Sequence, residues 1–341
     1  RRIREDQDLP SDFTESDEVE QPDIEILVPL SPGITNQELP FDTEQDRFTV
    51  QPFVVPASGL RKTVLVSFIA SRLSEGQEET IRSAYEAVNR RLDDWSLRDL
   101  AEEIKDRDEL PPKNKATAVN VLRSLQDKGF IRTRDHSRAL DWRRIFTDTE
   151  TITVFSQALC EDKVAKYTTF AYLLDAIAEQ RKDMTGLPQC AVLCRELWKI
   201  APHSRRQSAF AEVAALQEAI AQMFSELFRE NRHAGVHVIA DTQAPSDLHK
   251  SVREMFNRYV IYSATRDTVK EIFEWTQSDR YQSFLRTMSP KAGEAGIVGQ
   301  VQPAIDNRDI EFISPVQFVP PSFHHRISPG DDIGMTPDRT G

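Results

Sequence analysis

Two stretches near the middle of the chain decide its fold. Residues 190–202 read CAVLCRELWKIAP, and residues 232–248 read RHAGVHVIADTQAPSDL. Each holds a five-residue run, Cys190–Cys194 and Val236–Ala240, that is apolar apart from His237 and is followed at once by polar residues. A short continuous run of this kind, without polar alternation, marks a strand of a parallel sheet covered on both faces. A third run, Tyr259-Val260-Ile261-Tyr262, ends in Ser263-Ala264-Thr265. Between and before these runs the apolar residues fall at helical spacing: Val164, Tyr167, Phe170, Leu174 and Ile177, then a long helix over roughly 205–231. Strands alternating with helices define an α/β class with a mostly parallel sheet. Open sheets of that class take ligands beyond the carboxyl ends of their strands. The polar residues there, Arg195-Glu196, Asp241-Thr242-Gln243 and Ser263–Thr265, are therefore the candidates for chemistry.

Working outward, Ile152-Thr153-Val154-Phe155 is a further short strand, and Ile24–Val28 another, followed by extended stretches at Phe48–Val50 and Phe53–Val55. From Gly59 to Ile131 the pattern is helical. Ser74 and Gln77 have capping-box spacing, Ser96 caps a helix through Leu97, Leu100 and Ile104, and Pro111-Pro112 precedes a helix through Val119, Leu122 and Leu125 that Gly129 stops. With no β run evident inside it, this block reads as an all-helical subdomain. The expected divisions are an acidic leader with connecting strands (1–58), the helical subdomain (59–146), the α/β core (147–314) and a Pro- and His-containing tail (315–341).

Charge is unevenly spread. The 341 residues carry 43 Lys and Arg against 55 Asp and Glu, a net −12, yet residues 1–48 alone account for −10. The body is nearly neutral, so the chain is not a uniformly acidic protein and nothing in its charge bars contact with nucleic acid. No apolar run reaches the roughly 18 residues of a membrane-spanning helix. Arg1 opens a charged stretch with no apolar signal region and no initiator Met, which suggests a chain beginning inside a longer product. Three cysteines, Cys160, Cys190 and Cys194, make neither a disulfide framework nor a zinc site. His324-His325 in the Pro-rich tail reads as a surface pair, and no metal site is assigned to it.

The order of these parts resembles the HerA/FtsK-type P-loop ATPases, which are hexameric DNA translocases. AVLCRELWKIAP resembles their Walker B strand, which ends in Asp-Glu; RHAGVHVIADTQAPSDL resembles the following strand, with its Thr-Gln sensor before a Pro-Ser turn. FTDTETITVF (146–155) and the helical block match the order of parts, so the resemblance spans about Ile24 to Val319, and Pro320-Pro321-Ser322-Phe323-His324-His325 is similar to the tail of archaeal members. It implies a RecA-like P-loop NTPase core with an inserted helical subdomain. It also implies ATP and Mg²⁺ as cofactors, double-stranded DNA as substrate, a homohexamer, a nuclease or other DNA-processing partner, and a cytoplasmic location with no membrane contact. By the same resemblance Glu196 activates water, Gln243 senses the γ-phosphate with Thr242 beside it, and Arg258, ahead of Arg232 and Arg266, is the arginine finger given in trans.

Two departures qualify the motor. Arg195 stands where the family holds an Asp for the Mg²⁺ shell; a guanidinium cannot accept from metal-bound water, but it contacts phosphate well. The one phosphate-loop candidate, Pro56-Ala57-Ser58-Gly59-Leu60-Arg61-Lys62-Thr63, has Pro56 and Arg61 at the two glycine positions. Lys62 and Thr63 either bind nucleotide or open the first helix of the block, and in the second case the true phosphate loop precedes Arg1. A different class stays open: residues 96–134 also read as a winged helix-turn-helix, with Lys113, Lys115, Arg123, Lys128, Arg132 and Arg134 toward phosphates and Asn114, Thr117 and Asn120 toward bases. That reading makes the chain a non-hydrolysing DNA-binding or scaffolding protein.

Overall fold

The structure, a computed structural model, describes residues 22–30, 44–45, 48–70, 74–132, 139–183, 186–230, 235–243, 245–256, 258–261, 266–275, 294–301 and 310–317. The acidic leader up to residue 21, Arg232, Ser263–Thr265 and the tail beyond 317 lie outside these residues. Two compact units are present, one formed by residues 23–256 and one containing residues 257–341.

In the larger unit, β1 (Asp23–Pro29), β2 (Glu44–Gln45), β3 (Phe48–Phe53), β4 (Val55–Pro56), α1 (Lys62–Ala70), α2 (Glu75–Arg91), α3 (Leu97–Lys105), α4 (Pro112–Asp127), β5 (Ile131–Arg132), α5 (Trp142–Thr147), β6 (Thr151–Phe155), α6 (Lys163–Asp183), β7 (Cys190–Cys194), α7 (Leu197–Ile200), α8 (Ala211–Glu230), β8 (Val236–Ala240) and α9 (Lys250–Arg253) follow in order. β1 is central in a four-stranded sheet of order β2-β3-β1-β6 and runs parallel to both β3 and β6. β7 and β8 form a second parallel pair, with Cys190 opposite Val236 and Cys194 opposite Ala240. The fold is thus mixed α/β, with parallel strands and covering helices.

Burial explains the helices. α6 buries residues around most of its circumference, from Val164 and Ala165 through Tyr172, Leu173 and Leu174 to Ile177 and Ala178, as a central helix must. It packs on α8, which contributes Leu216, Ile220, Phe224 and Leu227 to the same core. The core runs without a break into the helical block, taking in Ile81, Val88, Trp95, Leu100, Ile104, Leu122 and Phe130. Trp95 is sealed edge-on against Tyr85 at 5.2 Å and donates to Asn89 Oδ1 at 3.1 Å. Ser96 caps α3 as expected, and Asp99 completes the box: Asp99 N–H donates to Ser96 Oγ and Ser96 N–H to Asp99 Oδ2. Asp162 immediately precedes α6, and its carboxylate accepts from Ala165 N–H at 2.8 Å and from Lys128. Burial pushes that carboxyl upward, but the Lys128 contact and the helix amides outweigh it and hold it below the usual range.

Three features depart from the sequence expectations. The block 59–146 contains a short strand: β5 pairs in parallel with β4, Val55 opposite Ile131, because Phe130 and Ile131 must reach the common core. The β7–β8 pair is covered on one face only among the described residues; Leu193 and Ile239 on the other face are 64% and 55% exposed, and Ile152 and Val154 of β6 are also exposed. In the smaller unit β9 (Arg258–Ile261) is followed by α10 (Arg266–Trp275), β10 (Glu294–Val301) and β11 (Ile310–Gln317). The expected third parallel strand is instead antiparallel: β9 pairs with β10, and β10 with β11. Its alternating exposure, with Val260 46% exposed and Ile261 buried, is that of a half-solvated antiparallel strand.

A cluster under the core gives a test of stability. Arg61, just before α1, meets Asp175 of α6, Glu179 and Glu226. Burial raises the Asp175 carboxyl above its ordinary range even though Arg61 opposes the rise. Arg61→Ala is expected to cost about 2 kcal/mol in urea unfolding at pH 7, less than the full cost of orphaning a buried charge because Arg61 is partly solvated. A carboxyl whose folded pKa is raised contributes stability that is complete at low pH and lost as pH rises through that pKa. The variant's loss should therefore shrink toward pH 4 and be largely rescued by adding Asp175→Asn.

Candidate functional site

The in-phase register of β7 and β8 carries Arg195 and Glu196 to the same sheet end as Asp241, Thr242 and Gln243. Asp241 N–H donates to Cys194 O at 3.0 Å and Leu197 N–H to Asp241 O at 3.1 Å, so the two strand ends are laced together beyond the ladder. The Asp241 carboxylate then spans both residues of the neighbouring turn: Oδ1 accepts from the Glu196 amide and Oδ2 from Arg195 Nε at 3.2 Å. To present its amide this way Glu196 adopts φ 52°, ψ 43°, the left-handed region, and it is the only described residue other than glycine with positive φ. A non-glycine residue there is strained by about 1–2 kcal/mol and persists only when its surroundings hold it.

The turned backbone brings the Glu196 side chain among three donors. Oε1 accepts from Gln243 Nε2 at 3.3 Å; Oε2 accepts from Trp198 Nε1 at 3.1 Å and pairs with Lys199 Nζ at 2.9 Å. The Lys199 contact, aided by Trp198, holds the Glu196 carboxyl below its ordinary range, so it is ionised at neutral pH. Lys199 also lies over the Trp198 ring, 5.5 Å from its centroid. The turn rests on the core through the Lys199 carbonyl, which accepts from Tyr167 Oη of α6 at 2.8 Å, while Gln217 of α8 donates to Tyr167 Oη at 2.9 Å. On the far side Arg206 Nε meets Asp247 Oδ1 at 3.1 Å, and His203 N–H donates to Asp247 O at 2.6 Å. Thr242 is half-buried, and its hydroxyl oxygen is buried with no hydrogen-bond partner among the described residues.

The expected pair Glu196 and Gln243 is thus in contact, with Arg195 and Thr242 beside it. The sequence marks Asp241 only as one of the polar residues at its strand end, since nothing in a lone Asp there reveals that it bridges the neighbouring turn. Lys62 and Thr63 sit elsewhere. They open α1, and Lys62 pairs with Glu86 of α2. The loop before them is closed: Ala57 and Leu60 are buried, Leu60 N–H donates back to Ala57 O, and a Cβ on Gly59 would meet Tyr172 Cε2 at 2.9 Å. Tyr85 Oη also donates to Leu60 O at 2.6 Å, and burial pushes the Tyr85 phenol up to about 12. Arg258 is exposed at the start of β9, and Arg266 opens α10. Cys194 is a buried core thiol pushed up to about 12 by burial and by Asp241.

A divalent cation does not fit the carboxylates as they stand. Mg²⁺ wants oxygen ligands free of competing donors and a site of net negative charge. Here Asp241 already serves an amide and a guanidinium, and Glu196 serves an amide, an indole and an ammonium. The two acids are balanced by Arg195 and Lys199. Among the described residues no three His, Cys, Asp or Glu side chains converge where a metal could be held, and no helix is long and apolar enough to cross a membrane.

No protein-family model matches the chain, and no curated protein matches it. Solved structures do. One is the genome packaging NTPase B204 from Sulfolobus turreted icosahedral virus 2 in complex with ATP-gammaS, 16% identical, covering 54% of this chain and 76% of that one with a TM-score of 0.33. Another is the plasmid coupling protein TrwB with a non-hydrolysable ATP analogue, 10% identical, covering 86% and 66% with a TM-score of 0.38. At TM-scores of this size the likeness does not decide function, which has to be read from the strand-end site.

The strained turn makes a direct prediction. Glu196→Gly removes the left-handed penalty, so the variant should be more stable by up to about 1 kcal/mol in thermal or urea melts. Glu196→Val, which cannot relax there, should be less stable than wild type.

Proposed function

We propose that the chain is a subunit of an ATP-driven DNA translocase, working on double-stranded DNA as a homohexameric ring of the HerA/FtsK type in the cytoplasm. The observation that carries this reading is the contact between Glu196 and Gln243 at the ends of adjacent parallel strands, with Glu196 held ionised in a strained turn. Strain at a strand end, kept by specific partners, is characteristic of sites that do chemistry. Phosphoryl transfer asks the protein mainly to position groups and to balance charge. Glu196 Oε1, touched among the described residues only by the Gln243 amide, keeps a lone pair to orient and deprotonate the attacking water. Gln243, bonded to that oxygen, reports a γ-phosphate to the general base. Arg195 faces the phosphates, with Thr242 beside it, and Arg258 acts on a neighbouring subunit's nucleotide.

Lys62 and Thr63 are assigned to α1 in this reading, because their loop is sealed by Tyr172 and Leu60. The phosphate cradle then belongs to a strand-and-helix unit other than residues 56–63. The exposed apolar residues Leu193 and Ile239 on one face of the β7–β8 pair support such a unit, since parallel sheets are stable with both faces covered.

The DNA contact is proposed for α4. Its outward face carries Lys113, Asn120, Arg123 and Ser124, all exposed, and no ion pair engages Lys113 or Arg123 among the described residues. Lys115 and Lys128 are already committed, to the Lys105 carbonyl and to Asp162. The same face suits the second reading, a DNA-binding protein without turnover, which the donors already engaging Glu196 and Asp241 favour.

ATP turnover with and without double-stranded DNA separates the two. On the motor reading wild type hydrolyses ATP and DNA accelerates it, whereas Glu196→Gln abolishes turnover and keeps nucleotide binding. Nucleotide-independent DNA binding with no turnover from wild type establishes the second reading. In either case Lys113→Ala with Arg123→Ala should weaken DNA binding about equally for all sequences and lower the salt slope by about 2.

A further inference from the structure

We propose that Arg195 is a resident cation at the ends of β7 and β8, standing in for a divalent metal, so that the site takes a nucleotide's phosphates without metal. The inference rests on the nucleotide reading above and goes beyond it by naming what neutralises the phosphates.

Charge and geometry carry the case. Arg195 engages Asp241 through Nε alone, at 3.2 Å, and its side chain is 78% exposed. Both terminal amino groups of the guanidinium are therefore open to solvent, with no partner among the described residues. That outer edge is the fork that grips two oxygens of a phosphate group in plane. Asp241 fixes the fork's direction from behind by holding Nε while it also accepts the Glu196 amide. The pair cannot be explained as a stability device, because an ion pair this exposed is worth little to the fold. Lys199 adds a second positive charge on the other side of Glu196, and the buried, unpartnered Thr242 hydroxyl lies one residue beyond Asp241. Two acids and two bases leave the cluster neutral before ligand arrives. A metal would have to displace a guanidinium that the chain keeps tethered beside Glu196. An incoming polyphosphate meets instead a positive, outward-facing edge.

The test uses the full chain and two probes, ATPγS and Mn²⁺. In calorimetric titrations wild type should bind ATPγS with affinities in EDTA and in excess Mg²⁺ that agree within about twofold. Arg195→Ala should weaken binding in EDTA about tenfold, the loss of one good charged contact. Arg195→Lys, which keeps the charge and loses the fork, should recover only part of it. Far-UV melting should be unchanged in both variants, since the side chain is exposed. Mn²⁺, followed by electron paramagnetic resonance without nucleotide, should leave wild type untouched and bind Arg195→Asp, and Asp241→Asn should abolish that gained binding. ATPγS binding by wild type only with Mg²⁺, or Mn²⁺ binding by wild type that Asp241→Asn removes, overturns the resident-cation proposal and leaves the nucleotide reading standing. Failure to bind ATPγS under both conditions overturns the nucleotide reading and this proposal with it.

Discussion

The candidate site depends on one contact, the acceptance of the Glu196 amide by the Asp241 carboxylate across the ends of two parallel strands. The strand register places the partners, and the contact is made with Glu196 in the left-handed backbone region. From that backbone follow the side chain's bonds to Gln243, Trp198 and Lys199, and the placement of Arg195 on the other oxygen of the same carboxylate. These charged groups face solvent, so their interaction energies are small. Their effect is positional, and the energy that keeps the strained turn comes from the packed core behind it.

That core reaches the site through few atoms. Cys194 and Leu197 are buried on either side of the turn, and the Lys199 carbonyl is held by Tyr167 and, through it, by Gln217. α6 and α8 thus act as a rigid bed for a polar surface loop. Just before the same α6, Asp162 anchors Lys128, which lies just past the end of α4. The helical block and the strand-end site therefore share one helix as support.

Much of this was legible in the sequence, and the failures have definite causes. The continuous runs at 190–194 and 236–240 announced parallel strands, and the Ser96 cap and the Gly129 stop marked real helix ends, because each depends on local chemistry. The pairing of Glu196 with Gln243 was reachable through the strand-end rule and the family resemblance. The antiparallel setting of β9 was not: a four-residue apolar strand has no local feature that specifies its partner's direction. β5 was missed because two residues carry no periodicity. The bridging role of Asp241 and the sealing of the loop at 57–60 were not legible because both are defined by distant residues, the Glu196 turn in one case and Tyr172 in the other.

The central claim, that the two strand ends form one nucleotide-facing site, is tested most directly by hydrogen exchange on the full chain with and without ATPγS. The account predicts joint protection of the amides of residues 194–201 and 241–249, with both effects weakened in Asp241→Asn. Protection confined to residues 56–63, or no protection of either strand end at saturating ligand, would contradict it.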